Sequence, residues 1–325
     1  MRGNRPIHFF LFFIFFSTIS CRKMTSGNND NSNKNNNQTP ITSFFAEDID
    51  KLQTVTLVEG HLPLIITVPH GSLNLPDSIP NRTEGQLVAD AYTISVANQL
   101  SNQIQQHYKV IPYLVVFNVA RRKVDVNRPI NEGCESPQGR RVWKDYHNTL
   151  QKTVDTVKKR YGHGLLLDIH GQAHKEGMVE LGYLLSGDAL RSVSTNDSAL
   201  VKQSSIQLLA SRLQKSGSTA TAAASLLRGN GSFGHAMMVN STGNEASLSV
   251  QVVPSPSYPY PENGTLYFRG GYTTKRYHTT LDVIQVESPK SLRFSKEGRK
   301  LLCDNLAKAA IFMLDHYYLP NRSKL

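Results

Sequence analysis

The sequence lacks the features by which several common classes of protein are recognised. No Gly-x-Ser-x-Gly segment, the nucleophile motif of many serine hydrolases, occurs in its 325 residues, and no internal repeat is present. A Gly-x-Gly-x-x-Gly segment at 229–234 has no apolar strand before it and no clear helix after it, so we expect no dinucleotide-binding turn there. The net charge is +11, yet the only dense cationic cluster is Arg121-Arg122-Lys123. Nucleic-acid binders concentrate basic and aromatic residues on one strip, so we expect no nucleic-acid partner.

Long hydrophobic runs are also absent, apart from one near the N-terminus. Arg2 and Arg5 precede the apolar residues 9–16, which are followed by small residues. The run is too short to span a membrane comfortably, and its flanks are typical of a signal peptide. We therefore expect residues 1–20 to be a signal peptide and the protein to be secreted or extracytoplasmic. Cys21 follows a segment that loosely resembles a bacterial lipoprotein cleavage site, so a lipid at Cys21 is the only membrane anchor we expect.

The remainder of the chain divides into a tether and a domain. Residues 21–45 are rich in Asn and Ser with few apolar side chains, so they cannot bury enough surface to offset the entropy of ordering. We expect a disordered tether there and a single domain over 46–325. Cysteine is scarce, and only Cys134 and Cys303 fall within the domain. In an oxidising compartment these two could form a disulfide.

Short apolar runs in the domain have the length of buried strands. They occupy residues 64–68, 113–117, 165–169 and 283–286. Helical patterns cover about 84–106, 138–160, 197–215 and 295–317, and a Ser-, Gly- and Pro-rich stretch over 216–262 predicts a loop that could act as a lid. The alternation of strands and helices predicts an α/β fold with a mixed, largely parallel sheet and helices on both faces.

Each of these strands leads to polar residues suited to metal binding, carboxylate binding or proton transfer. They are His70, then Arg121, Asp125, Asn127 and Arg128, then His170, and finally Glu287. In open α/β sheets, ligands bind outside the carboxyl ends of the strands. The sequence therefore predicts one shared site at that edge of the sheet.

A zinc hydrolase is the chemistry that these residues favour. A catalytic zinc needs about three protein ligands and an open position for water. His70 and His170 are the best ligand candidates, and the third should be a carboxylate, either Asp90 or Glu84, with Asp90 preferred. The alternative for each histidine is a hydrogen-bonded role without metal. Glu287 is positioned in the sequence to move a proton to and from water.

The remaining candidates are assigned to substrate binding or to structure. Asn127 and Arg128 place an amide beside a guanidinium, which suits a substrate carboxylate, and Arg121 could add a second cation. Tyr272 follows two glycines in a segment that could close over substrate, although a surface turn is equally compatible. Asp168 is expected to point to the strand face opposite His170 and to have a structural role.

Several short motifs occur in a recognisable order. They are Pro69-His70-Gly71, Arg121 followed by Asp125-x-Asn127-Arg128, Trp143-x-x-Tyr146-His147, Asp168-x-His170-Gly171 and Gln285-x-Glu287. As a set they resemble the N-formylglutamate amidohydrolase family, and the order of His, Asn-Arg, His and Glu is similar to that of the zinc carboxypeptidases. The resemblance implies a three-layer α/β fold with one zinc ion. It also implies that His70 and His170 are ligands, that Asn127 and Arg128 bind the substrate carboxylate, and that Glu287 is the general acid/base.

The chain departs from these families at two points. Carboxypeptidases have a second ligand, a glutamate, three residues after the first histidine, where this chain has Leu73. The middle ligand must therefore come from Asp90 or Glu84. A signal peptide does not suit a cytosolic degradation step, so we expect another N-acyl amino acid or a peptide as substrate.

Two functional hypotheses follow from the sequence. The first is an exported zinc-dependent amidohydrolase that cleaves an N-acyl or peptide amide bond next to a free carboxylate. The second is a catalytically inactive exported binding protein for acidic small molecules or cell-wall peptides. The two hypotheses differ in whether the protein binds metal.

Overall fold

The computed structural model describes residues 52–192, 197–217, 225–238 and 249–319. Contacts divide the chain into two units, 1–41 and 42–325, and only residues of the second are described. The predicted signal peptide, Cys21 and the tether over 21–45 lie outside the described residues. Among the helices of the described ranges, none combines the length and the apolar character that a membrane span requires.

A seven-stranded mixed sheet forms the centre of the fold. Its strands are β1 (Val55–Val58), β2 (Leu64–Val68), β3 (Tyr113–Phe117), β4 (Leu165–Gln172), β5 (Val179–Gly182), β6 (Val252–Val253) and β7 (Asp282–Pro289). The order across the sheet is β1-β3-β2-β4-β7-β5-β6. The four central strands run parallel, β1 is antiparallel to β3, and β5 is antiparallel to β7.

Helices cover both faces of this sheet. The longer ones are α1 (Thr93–Tyr108), α2 (Pro137–Tyr161), α3 (Gln207–Lys215) and α4 (Lys296–Met313). Shorter helices span Ile130–Gly133, Gly187–Arg191, Asp197–Val201, Phe233–Met238, Tyr272–Tyr277 and Lys290–Arg293, and a π-helical turn spans Leu314–Tyr318.

Alternate residues of the central strands pack into two separate hydrophobic cores. Leu64, Ile66 and Val68 of β2 belong to a cluster that includes α1 and α4, whereas Ile65 belongs to a cluster that includes α2. Successive side chains of a strand point to opposite faces, so the two clusters lie on opposite faces of the sheet. The predicted fold class, a mixed and largely parallel sheet between helical layers, is confirmed.

The connections around β2 explain where a site can form. From β2 the chain passes through α1 to β3 on one side, and from β3 it returns through α2 to β4 on the other side. Reversal of direction at β2 leaves a crevice at the carboxyl ends of β2 and β4, because the two crossovers diverge there. The sheet order thus provides one ready-made crevice beside His70 and His170.

Several predicted elements differ from the observed ones. The helix expected from 84 begins only at Thr93, because the backbone at Tyr92 adopts a left-handed conformation with φ of 69°. The helix expected over 197–215 is two helices separated by a turn. The predicted loop over 216–262 contains helix Phe233–Met238 and β6, and strands β1 and β5 were not predicted. These missed strands are short, with only four or fewer residues each.

The disulfide that the sequence left open between Cys134 and Cys303 is not formed in the structure. Both thiols are free and buried. Cys134 lies in the core that contains α2, and Cys303 lies in the core on the other face of the sheet. A disulfide needs adjacent Cβ atoms, and the sheet separates these two side chains.

One buried carboxyl outside the crevice has a measurable consequence for stability. Asp282 begins β7, where its Oδ1 accepts a hydrogen bond of 2.8 Å from the Leu209 amide and its Oδ2 lies 3.4 Å from Arg212 Nη1. Burial raises the pKa of Asp282 from 3.8 to about 6, although Leu209 and Arg212 oppose this shift. The folded protein therefore holds this proton more tightly than the unfolded chain does.

Replacement of Asp282 by Asn should remove a pH-dependent loss of stability. The stabilisation from the protonated carboxyl is fully present below pH 3.8 and is lost as the pH rises through about 6. Over that interval the difference is on the order of 3 kcal/mol. We expect the free energy of unfolding of Asp282→Asn, relative to the native protein, to rise by about that amount between pH 4 and pH 7 in urea titrations.

The matched control is Asp77→Asn, at an exposed side chain that makes no ion pair with the described residues. Its stability relative to the native protein should stay nearly constant across the same pH range. If the free energy of unfolding of Asp282→Asn relative to the native protein were also constant with pH, the raised pKa of Asp282 would be contradicted.

Candidate active site

Three predicted ligands converge at the carboxyl end of the sheet. His70 follows β2, His170 lies in β4, and Asp90 lies in the loop that leads into α1. One ligand atom from each lies within 4.8 Å of the other two, and all three residues are buried. Two imidazoles and one carboxylate are a donor set found in catalytic zinc sites, where a further position stays open for water.

Each histidine turns one ring nitrogen toward a carboxylate outside this triad. His70 Nε2 lies 2.8 Å from Asp125 Oδ1, and His170 Nε2 lies 3.0 Å from Asp168 Oδ2. Such carboxylates place the proton on Nε2 and leave the lone pair on Nδ1. His70 Nδ1 is buried and lies 3.5 Å from Asp90 Oδ2, and His170 Nδ1 faces the same oxygen at 3.1 Å. Both Nδ1 atoms therefore face the space inside the triad.

Backbone contacts hold Asp90 in place. Its amide donates to His70 O at 2.9 Å, and its Oδ2 accepts from the Gly171 amide at 3.2 Å. Its carbonyl accepts a hydrogen bond of 2.7 Å from Thr93 Oγ1 at the start of α1. The loop before α1 is thus tied to the ends of both β2 and β4, which fixes the carboxylate between the two histidines.

Electrostatics couple the members of the triad. Burial would raise the pKa of Asp90, but hydrogen bonds and charge from His170 and His70 outweigh it and hold the pKa well below its usual value. Burial would lower the pKa of His170, but the carboxylates of Asp168 and Asp90 raise it well above its usual value. The site therefore stabilises positive charge strongly, whether that charge comes from protons or from a divalent cation.

Glu287 lies in β7, the strand next to the one that carries His170. It lies opposite His170 in the parallel register of β4 and β7. Its Oε1 accepts a hydrogen bond of 3.0 Å from Gln285 Nε2, whereas its Oε2 is buried without a partner in the described chain. Burial raises the pKa of Glu287 to about 8, against the opposing charge of His170. A carboxyl in this range can accept and return a proton near neutral pH.

Helix α2 anchors the loop that follows β3. His147 Nε2 donates to Val126 O at 2.8 Å, and Trp143 Nε1 donates to Arg128 O at 3.0 Å. Burial lowers the pKa of His147 to about 3, so this imidazole is neutral and acts as a single fixed donor. The Trp-x-x-Tyr-His motif therefore positions the loop rather than entering the site.

The polar side chains of the loop after β3 differ in the number of hydrogen bonds and ion pairs they make. Asn127 Oδ1 accepts from the Thr273 amide at 2.9 Å, which joins the loop to helix Tyr272–Tyr277. Arg121 Nε donates to Asp125 Oδ2 at 2.9 Å, so Arg121 supports the carboxylate behind His70. The Arg128 guanidinium makes no hydrogen bond or ion pair with the described residues and is exposed. The guanidinium of Arg128 is therefore free to contact a ligand.

One cavity of about 750 Å³ lies at this edge of the sheet. Its lining includes the predicted site residues His70, Asp90, Arg121, Asn127, Arg128, His170 and Glu287. A cavity of this size suits a small-molecule ligand. The structure therefore brings seven of the eight predicted site residues together.

Tyr272 is the predicted residue that the structure places elsewhere. It is absent from the cavity lining, and its ring packs near Trp143 and His147, with centroid distances of 5.9 and 5.4 Å. The alternative ligand Glu84 is exposed and does not join the metal-binding group. The geometry therefore favours Asp90 as the third ligand and gives Tyr272 a packing role.

Sequence reasoning missed the carboxylates behind the two histidines. The expectation that Asp168 points away from His170 is wrong, because residues two positions apart on a strand share a face. Asp168 was identifiable from that spacing alone. Asp125 was singled out in the sequence only as part of the Asn-Arg loop, and its contact with His70 across 55 residues had no local signal.

The residues present fit a zinc ion. The Nδ1 atoms of His70 and His170 both face Asp90 Oδ2, at 3.5 and 3.1 Å, and both Nε2 atoms already have carboxylate partners. Carboxylate–histidine pairs of this kind support zinc in many proteins. His70, Asp90 and His170 would be the ligands, and Glu287 lies beside them without being needed as a fourth.

No family model matches the chain. N-formylglutamate deformylase of Pseudomonas putida is 25% identical over 145 residues, a match that covers 34% of this chain and 52% of the relative. The match thus spans about half the length of this curated relative.

Two solved structures align with most of the chain at low identity. N-formylglutamate amidohydrolase of Ralstonia eutropha is 14% identical, with 82% of this chain and 98% of that chain covered and a TM-score of 0.46. The apo form of an N-acetylmuramyl-L-alanine amidase of Mycobacterium abscessus is 13% identical, with 77% and 98% covered and a TM-score of 0.31. The curated relative bears out the similarity predicted from the motifs: this chain resembles the N-formylglutamate amidohydrolases.

Proposed function

We propose that this protein is an exported, zinc-dependent amidohydrolase that cleaves an N-acyl or peptide amide bond next to a free carboxylate. The observation that carries this proposal is the convergence of His70, Asp90 and His170 beside Glu287 in one cavity. The curated relative, a deformylase of N-formylglutamate, supports amide hydrolysis as the reaction class.

Different groups of the site would have different roles in the reaction. When bound, zinc polarises a carbonyl oxygen and lowers the pKa of water. Glu287 would take a proton from water at the unpartnered Oε2 and return it to the leaving nitrogen, while Gln285 holds Oε1. The C–N bond breaks, the acyl carbon gains the water oxygen, and the products are a carboxylic acid and a free amine.

Substrate recognition falls to Arg128. Its guanidinium lines the cavity without a partner among the described residues, and its backbone is fixed by Trp143. A guanidinium can bind a carboxylate through two parallel hydrogen bonds, which would orient the neighbouring amide toward the triad. Arg121 and Asn127 hold the surrounding loop through their contacts with Asp125 and Thr273.

Replacement of Arg128 by Ala should weaken binding of the substrate carboxylate. Hydrogen bonds to charged groups contribute about 1.5–3 kcal/mol, so we expect kcat/KM for N-formylglutamate to fall roughly 10- to 100-fold, mostly through KM. The same substitution should have little effect on an analogue whose α-carboxylate is a carboxamide. Steady-state kinetics on both compounds measure the difference.

Arg140→Ala is the matched control, because Arg140 is exposed and bonds Asn131 on the surface. It should leave both substrates unaffected. An equal loss for the carboxylate and the carboxamide in Arg128→Ala would argue against a carboxylate-binding role.

Export is a separate part of this proposal and rests on the basic and apolar pattern of residues 1–20. Cleavage before Cys21 and attachment of lipid there would place the domain on a membrane outside the cytoplasm. Mass spectrometry of protein from the membrane fraction would reveal a mature N-terminus at Cys21. Full-length protein that begins at Met1 and stays in the cytoplasm would refute export.

A further inference from the structure

Exposed apolar side chains are concentrated at the mouth of the active-site cavity. Val88, Phe268 and Phe294 line the cavity and are 69%, 46% and 47% exposed. The ring of Tyr92, itself 45% exposed, contacts Phe294 edge to face with centroids 5.1 Å apart. We call these four side chains the apolar rim.

The rim is assembled from distant parts of the chain. Val88 and Tyr92 lie in the loop before α1, Phe268 lies before helix Tyr272–Tyr277, and Phe294 follows helix Lys290–Arg293. A second cavity shares Phe294 and His174 with the first in its lining. Phe294 therefore borders both cavities, and Val88 and Phe268 border the first.

Specific contacts position two of the rim side chains, Phe268 and Tyr92. The Phe268 amide donates to buried Glu180 Oε2 at 2.7 Å, and the Phe268 ring packs on His174 with centroids 4.6 Å apart. Tyr92 keeps a left-handed backbone with φ of 69°, which is rare for a bulky residue, and the Arg299 guanidinium lies 4.5 Å from its ring. These contacts hold the rings of Phe268 and Tyr92 at positions that are 46% and 45% exposed.

Single exposed apolar residues are normal, but a cluster at the opening of a cavity indicates a ligand surface. The substrate of the proposed reaction has two ends. Its carboxylate is bound by Arg128, which leaves the acyl group to face the rest of the cavity wall. A formyl group carries no carbon chain and could not cover the rim.

We propose that the substrate is an amino acid whose nitrogen carries a long apolar acyl chain, and that this chain lies on the apolar rim. The proposal rests on the proposed function and names its substrate class. Hydrolysis then adds water across the amide, breaks the C–N bond, and releases a fatty acid and a free amino acid. Each methylene that leaves water on binding should strengthen binding about fourfold at most.

The test is a chain-length series with the full-length, zinc-loaded protein. The substrates are N-formyl-, N-acetyl-, N-hexanoyl- and N-decanoylglutamate. We expect kcat/KM to rise with chain length, by about tenfold or more from acetyl to hexanoyl. In Phe294→Ser and Val88→Ser, the ratio of kcat/KM for decanoyl to acetyl substrate should fall at least severalfold. Leu57→Ser is the matched control, because Leu57 is 40% exposed on β1 at the sheet edge away from this opening.

A binding measurement that needs no turnover accompanies the series. Calorimetry with metal-depleted protein should detect binding of decanoate, and Phe294→Ser should weaken that binding while Leu57→Ser does not. Circular dichroism confirms that each variant is folded.

Different results would overturn the long acyl chain and the amidohydrolase activity. Hydrolysis of N-formylglutamate with a flat or falling chain-length series would overturn the long acyl chain and leave the amidohydrolase intact. Absence of hydrolysis for every member by zinc-loaded protein would overturn the amidohydrolase and with it this substrate. If kcat/KM rises with chain length to the same extent in Phe294→Ser and Val88→Ser as in the native protein, the apolar rim does not bind the acyl chain.

Discussion

Glu287→Gln is expected to abolish amide hydrolysis while zinc binding is retained. General acid–base catalysis contributes about 10²- to 10⁴-fold to rate, and the amide cannot take a proton from water or return it to the leaving nitrogen. The replacement keeps the shape of the side chain and its contact with Gln285, so the loss should appear in kcat rather than in KM. Single-turnover kinetics together with metal analysis measure the two effects separately.

The comparison variant is Glu135→Gln, at an exposed carboxylate that accepts hydrogen bonds from Thr83 and Glu84 amides. It should retain native kcat. Retention of more than a tenth of native kcat in Glu287→Gln would exclude Glu287 as the proton carrier. Loss of both zinc and activity would instead assign it to metal binding. The binding-protein hypothesis predicts no hydrolysis in either protein.

Asp168→Asn has the second largest expected effect, on metal affinity. Asp168 Oδ2 faces His170 Nε2, and its other oxygen is buried without a partner in the described chain. Loss of the charge behind a ligand histidine typically lowers metal affinity about 10- to 100-fold. Competition with a chromophoric chelator should show that decrease in zinc affinity. The stability of the metal-depleted protein should change less.

Asp155→Asn provides the control, because Asp155 is exposed on α2 and bonds only Gln151 in the described chain. Its zinc affinity should equal that of the native protein. Native affinity in Asp168→Asn would show that the contact does not act on a metal ligand.

The strands and the edge of the sheet that carries the site were predictable from sequence for a physical reason. Central parallel strands are buried on both faces, so β2 and β4 appear as continuous apolar runs that no helix of that length explains. Parallel strands place their carboxyl ends together, which brings His70, His170 and Glu287 to one edge without knowledge of any contact. The order of the motifs then suggested the family.

Other parts of the site have no local signal. Asp90 was assigned to a helix because its neighbourhood is apolar at helical spacing, whereas contacts with the ends of β2 and β4 hold it in a loop. The choice between Asp90 and Glu84 depends on those tertiary contacts. The role of Tyr272 depends on the aromatic side chains of α2, and the apolar rim depends on three segments that are far apart in the chain.

The most direct test of the account is the amount of zinc per chain in purified protein lacking residues 1–40, beside its His70→Ala and His170→Ala variants. The convergence of both Nδ1 atoms and Asp90 predicts close to one zinc per native chain and loss of that zinc in each variant. His316→Ala, at an exposed histidine near the C-terminus, should keep the native amount. No zinc in the native protein after zinc is supplied, or undiminished zinc in both site variants, would contradict the central claim.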